Sequence, residues 1–370
     1  MQGAAPVITN ITMVGATPRF AVQSALGITN QIQYSANLGQ TNWVVLTNLW
    51  VAQSPYWFVD ASAPLAARRF YRVAAPAASA PSPAGMVLIP AGSFIMGDTF
   101  GDAAAEGITD EVPTHTVYVS ACYMDTNLLS YALWQQVYGW ATNHGYSFDN
   151  PGSGKATNHP VQSINWYDCV KWCNARSEMA GLTPCYYTNA SQATVYRTGT
   201  NDVASTFVNW AVNGYRLPTE AEWEKAARGG ASGHRFPWTD ADTITWSRAN
   251  YYADSGAYSY DVNPIIGHDS NFTNAPPPYT SPVGSFAPNG YGLYDMAGNV
   301  SERCWDWYSS TYYSSSPDTD PRGEASGSTR VLRGGTWDYY ADGTRCAYRD
   351  GLSPPDGETY FIGFRCVRGF

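Results

Sequence analysis

No stretch of this chain approaches the ~20 consecutive apolar residues that span a bilayer, so no membrane-crossing segment is expected. The opening MQGAAPVITN lacks both a charged lead and an apolar run, and reads as a mature or cut end. Charge is scarce as well: Asp, Glu, Lys and Arg make up 14% of 370 residues, with three lysines among them. The basic residues are scattered rather than striped and the formal net charge is −9, so there is no phosphate-tracking groove, and nucleic acid is not expected as a partner. The five histidines, at 115, 144, 159, 234 and 268, lack the H-x-x-x-H or facial-triad spacing of zinc and iron sites. No G-x-S-x-G elbow, Walker loop or paired Cys-His pattern appears either.

What the chain has in abundance is rings and turns: 14 Trp, 27 Tyr and 34 Gly, a rigid, hydrogen-bonding, loop-rich composition. The length suffices for two domains that each bury a core. Seven cysteines in a lysine-poor chain point to an oxidising compartment. The odd count leaves at least one thiol unpaired or paired outside the chain.

Residues 1–73 read as a domain of short strands: VITNITMV, RFAVQSAL, IQYSANL, WVVLTNL, YWFVDAS and RRFYRVA alternate with period two at a spacing near ten residues. That is the pattern of a small immunoglobulin- or fibronectin-like β-sandwich. AAPAASAPSPAG, residues 74–85, cannot bury apolar surface and reads as an extended linker. Residues 86–370 form the larger domain. It starts with strands in GMVLIPAGSFIMGD and HTVYVSACYMD, and helical spacing then marks 129–145 and 166–181. Thr219 with Glu222 makes a capping box that opens a helix closed by Gly229. Beyond Gly230 most of the chain is turns, and so much irregular backbone calls for cross-links or ions to hold it. The fold class expected is therefore α+β, an all-β sandwich followed by a loop-rich domain.

Four segments of that domain, RLPTEAEWEKAARGG (216–230), NGYGLYDMAGNVSE (289–302), RVLRGGTWDYYADGTRCAYR (330–349) and GETYFIGFRC (357–366), resemble the formylglycine-generating-enzyme (sulfatase-modifying factor) family, a variant of the C-type lectin fold, from Gly85 to Phe370. Catalytic members carry a C-x-x-x-x-C pair just after the GG[ST] turn, where a thiolate holds copper. In this sequence that stretch runs Asp338, Tyr339, Tyr340, Ala341, Asp342, Gly343, Thr344, so the activity and the copper implied by the resemblance are not expected. Thr336 stands where those members place an active-site Ser. Ser301 and Arg303 replace two tryptophans of the family pattern, which implies different packing beneath that loop.

The resemblance also implies calcium. Asp295, the carbonyls of Gly298 and Val300, and Glu302 present oxygens in a tight turn, as Ca²⁺ requires. A second set would be Asn250, the carbonyl of Tyr251 and Asp269. It implies a disulfide between Cys173 and Cys366, and Cys346, whose usual partner position is Ala227, could pair with Cys304. Cys122, Cys169 and Cys185 read as buried thiols.

The C-terminus interleaves framework pieces with Asp338, Tyr339, Tyr340, Asp342, Tyr348, Asp350, Ser353 and Tyr360. This Tyr, Asp and Ser mixture is the composition of paratopes, and it also resembles the bacterial and phage variable proteins diversified by retroelements. The expectation is a secreted or cell-surface bacterial protein that binds a protein or glycan ligand through this face. The alternatives are a formylglycine-generating oxidase or related oxidoreductase, and a structural or assembly protein of the surface.

Overall fold

The computed structural model describes residues 6–15, 17–24, 29–37, 43–50, 54–60, 63, 68–74 and 82–370. The chain divides into two compact units, Met1–Pro81 and Ser82–Phe370. The division falls within the Ala/Pro/Ser tract, of which residues 75–81 lie outside the described set.

In the first unit, β1 (Val7–Val14), β2 (Thr17–Gln23) and β5 (Tyr56–Val59) form one antiparallel sheet in the order β1-β2-β5. A second sheet, ordered β4-β3-β6, contains β3 (Thr29–Ser35), β4 (Val44–Trp50) and β6 (Phe70–Ala74). Alternate side chains of a strand share a face. Phe20 and Val22 of β2 therefore point together and meet Ile32 of β3 in one buried cluster with Ile8, Leu46, Phe58 and Tyr71.

The second unit has more irregular chain than ladder. β7 (Met86–Ile89), β10 (Cys122–Asp125), β11 (Tyr215–Arg216) and β15 (Val367–Arg368) make a sheet in the order β11-β15-β10-β7, and β8 (Gly92–Met96) pairs with β9 (His115–Val119). A third sheet, β13-β12-β14, is built from β12 (Ser301–Trp307), β13 (Arg330–Arg333) and β14 (Ile362–Gly363). The helices are α1 (Asp102–Glu106), α2 (Tyr131–Thr142), α3 (Trp166–Met179) and α4 (Glu220–Ala227). α4 starts at the predicted box, with the Glu222 N–H donating to Thr219 Oγ1 at 3.2 Å and the Thr219 N–H to the Glu222 carboxylate at 2.8 Å. α3 opens with a second box, Asn165 and Asp168. Trp134 of α2 and Trp172 of α3 stack at 5.7 Å, and Phe364 meets both edge-on, which fixes the C-terminal segment to the helices.

The cysteines expected to cross-link all lie in the interior. Among the described residues all seven cysteines are free and buried. Cys173 and Cys366, the pair the resemblance implies, lie side by side with sulfurs 3.6 Å apart. Cys304 and Cys346 are buried in the same cluster around Trp223. Forked ion pairs tie distant segments together: Arg176 holds Asp125, Arg345 holds Glu111, Arg349 holds Glu220 and Arg365 holds Glu302, each through two bonds of 2.6–2.9 Å. The partners in these pairs stand 51 to 234 residues apart in sequence. A planar guanidinium matches a carboxylate with two parallel bonds, so each pair fixes orientation as well as distance.

Candidate binding groove

β13 runs into Gly334 and Gly335, both at positive φ, 90° and 71°. A side chain at Gly335 would strike the Gly343 carbonyl, so glycine is required for the chain to fold back so closely. Trp337 follows, buried against Tyr279, His268 and Phe361, and this anchor turns Asp338, Tyr339 and Tyr340 outward. The return segment is held beside β13 by paired bonds between Leu332 and Asp350, 2.8 and 3.1 Å. Residues 355–361 are fastened from below: the Trp166 N–H donates to the Pro355 carbonyl, Ser163 to Thr359 and Ser301 to Phe361, at 2.8–2.9 Å.

Between these segments opens a groove of about 400 Å³. Leu332, Tyr339, Leu352, Phe361 and Ile362 give it apolar walls, while Ser301, Thr336, Ser353 and Thr359 add hydroxyls. Asp338, Asp350 and Glu358 are its charged lining residues. Asp338 accepts a 2.6 Å bond from the His268 ring. Asp350 accepts the Leu352 N–H at 2.7 Å, and burial raises its carboxyl above the ordinary value. No sulfur lines the groove; Cys304, Cys346 and Cys366, within four residues of lining residues in sequence, are all buried.

Of the eight residues predicted for ligand binding, Asp338, Tyr339, Asp350 and Ser353 line this groove. Tyr340 and Tyr360 are exposed, at 41% and 44%, next to lining residues. The other two are turned away. Asp342 is buried in the 3₁₀ turn Ala341–Thr344, where burial raises its carboxyl against the opposing pull of Arg345. Tyr348 is half-buried, with its ring 5.7 Å from that of Tyr339. Sequence reading missed Leu332 and Ile362, which look like ordinary strand residues, and His268, whose segment carried no motif. Ser301 was visible only as a small residue where the family pattern has Trp.

The first set of oxygens proposed for calcium lies in and just before the start of β12. Asp295 is buried, its Oδ2 accepts the Gly284 N–H at 2.6 Å, and its Oδ1 has no hydrogen-bond partner. Burial pushes its carboxyl up to about 6. An orphaned, desolvated carboxylate oxygen is what a cation would satisfy, but among the described residues no cluster of three metal-ligating side chains forms, and the Arg365 guanidinium already reaches the Asp295 carbonyl at 3.3 Å. Glu302 accepts from Arg365 on both oxygens but keeps further lone pairs. The second set fits less well. The Asn250 carbonyl accepts the Asn299 N–H, Asp269 accepts two bonds from Asn271, and the Lys155 ammonium bonds the Phe272 carbonyl three residues on from Asp269.

A C-type-lectin-like scaffold of this type, with its loops gathered round an open groove, defines the formylglycine-generating-enzyme-like class. Residues 72–370 match the model of the sulfatase-modifying factor enzyme 1-like domain, and the chain belongs to that family. The formylglycine-generating enzyme of Streptomyces coelicolor is 35% identical over 317 residues, covering 79% of this chain and 91% of its own. That of Mus musculus is 33% identical over 296 residues, 76% of this chain and 74% of its own. Among solved structures, Treponema denticola variable protein 1 superposes with a TM-score of 0.57 at 30% identity, covering 76% of this chain and 94% of its own. PvdO from Pseudomonas aeruginosa superposes at 0.55 and 25% identity, covering 77% and 94%.

Proposed function

We propose that the larger unit is a non-catalytic recognition domain that binds its ligand in the groove between Leu332 and Phe361. One observation carries this reading: the loop after Gly334–Gly335 presents Tyr339 to the groove, and no thiol lines it. Hydroxyl and carboxylate oxygens are poor ligands for Cu(I), so copper-dependent oxidation of a substrate cysteine has no support at this place. The likeness to a structure titled variable protein also favours recognition over catalysis. Calcium would be held by Asp295, Glu302 and the carbonyls of Gly298 and Val300, as a staple of the loop. The first unit, with facing sheets ordered β1-β2-β5 and β4-β3-β6, suits an immunoglobulin- or fibronectin-like spacer on a secreted or surface protein. A second reading, assembly through this unit, draws on edge strand β1, which exposes Ile11 and Met13; concentration-dependent sedimentation would reveal it. For the main reading, the purified chain is incubated with a cysteine-containing sulfatase-motif peptide, Cu(I) and oxygen. Mass spectrometry is expected to show no copper-dependent loss of the peptide thiol above background, and such a loss would overturn the reading.

A further inference from the structure

Resting on that reading of the groove, we propose that its ligand is a protein segment that inserts a lysine or arginine side chain flanked by apolar residues. The charges on the walls point there. Asp338, Asp350 and Glu358 line the groove, and no lysine, arginine or histidine lines it with them. Among the described residues Asp350 and Glu358 form no ion pair, whereas the interior of the same unit matches its carboxylates with arginines. The arginines nearest in sequence are all turned inward: Arg333 to Glu224, Arg345 to Glu111, and Arg349, adjacent to Asp350, to Glu220. The nearest cation beneath the floor, Arg303, is fully buried and bonds the Gly357 carbonyl, out of reach of a ligand. Two carboxylates without counter-ions on apolar walls favour a cation, because Coulomb attraction strengthens where water is thinned.

The surroundings choose a protein over a small amine. Tyr340, Tyr360 and Leu352 stand exposed around the groove, Leu352 at 84%. A small amine filling 400 Å³ would leave them unused, while a macromolecular partner covers them. Tyrosine rings beside a buried charge contact are the make-up of interface hot spots. Ser301, small and facing the groove, leaves room for a long cationic side chain to lie along the floor, with its methylenes on Leu332 and Ile362.

The test uses the full chain and three acetylated, amidated peptides, Leu-Arg-Leu-Tyr, Leu-citrulline-Leu-Tyr and Leu-Glu-Leu-Tyr, titrated at low salt with detection by NMR shifts. Citrulline keeps the shape of arginine and removes its charge. The arginine peptide is expected to bind at least tenfold more tightly than the citrulline peptide, and the glutamate peptide more weakly still. Asp350→Asn with Glu358→Gln should abolish the arginine preference at an unchanged melting temperature, since the introduced amide keeps an acceptor oxygen for the Leu352 N–H. Equal binding of arginine and citrulline peptides, tightest binding by the glutamate peptide, or no binding at millimolar concentration overturns the proposal. The first two outcomes leave the groove reading standing if Tyr339→Ala with Leu352→Ala weakens the interaction. Peptide binding indifferent to that pair of substitutions overturns the groove reading too.

Discussion

Between Asp338 and Asp350 neighbouring side chains lead opposite lives. Tyr339 and Tyr340 are 38% and 41% exposed, while Arg345, five residues on, is buried on Glu111 with two bonds of 2.8 Å. Arg345→Met leaves a buried carboxylate without its partner, and breaking such a pair by removing one side costs about 3–5 kcal/mol. Urea denaturation of the variant should show a loss of that size. Tyr339→Ala with Tyr340→Ala should change stability by about 1 kcal/mol or less, as exposed positions do, while weakening ligand binding at the groove. A Tyr339/Tyr340 variant that unfolds would place those rings in the core and remove them from the binding face. The sequence made the tyrosines and aspartates visible as a composition, but this segment is a turn with no period of two or 3.6. Nothing in its pattern could sort Asp338 and Asp350, which reach the groove, from Asp342, which does not.

At the scale of elements, the turn at Gly298–Asn299 gathers two other irregular segments. The Gly298 N–H bonds the Gly334 carbonyl at 2.6 Å, the Asn299 N–H the Asn250 carbonyl at 2.8 Å, and the Trp337 N–H the Asn299 carbonyl at 2.9 Å. Gly298 has φ of 72°, and a side chain there would drive into the Asn250 backbone. Gly298→Ala therefore combines left-handed strain with displacement of a neighbouring strand-like segment, and a loss of about 3 kcal/mol or more is expected. Gly233 has φ of 75° with open space around it, so Gly233→Ala should cost only the strain, about 1 kcal/mol. Similar melting temperatures for the two variants would show that the turn tolerates rearrangement. The helices were legible because α2, α3 and α4 carry their own periodicity and α4 its capping box. β11, β14 and β15 were not, since two residues cannot display a period and these strands exist only through pairing with distant partners.

For the whole molecule, the sequence led to an expectation of disulfides and ions holding down the long irregular stretch. The structure adds a device that was not expected, arginines turned inward onto carboxylates. An arginine in a chain with 14% charged residues reads by default as a surface residue, and its burial depends on a carboxylate up to a few hundred residues away, which no local pattern announces. Calcium is still expected to contribute through Asp295. A ligand that binds only the folded state adds RT ln(1 + [L]/Kd), about 2.7 kcal/mol at a hundredfold excess. Chelation should then lower the melting temperature of the larger unit, and Asp295→Ala with Glu302→Ala should erase the difference. Identical melting curves with calcium and with chelator would remove the ion from the account.

The three lysines carry one more consequence. All lie in the larger unit, and each amine is engaged: Lys155 on the Phe272 carbonyl, Lys171 on Asp149 and the Gly199 carbonyl, and Lys225 on the carbonyls of Pro90 and Gly92. Acylation requires an amine whose free lone pair can reach the reagent, so in the native protein Lys171, fully buried on Asp149 and the Gly199 carbonyl, should react slowly. Pulse acylation along a denaturant series, read at Lys171 in the mass spectrometer, thus becomes a clock for the opening of the larger unit alone, to which the lysine-free first unit contributes no lysine signal.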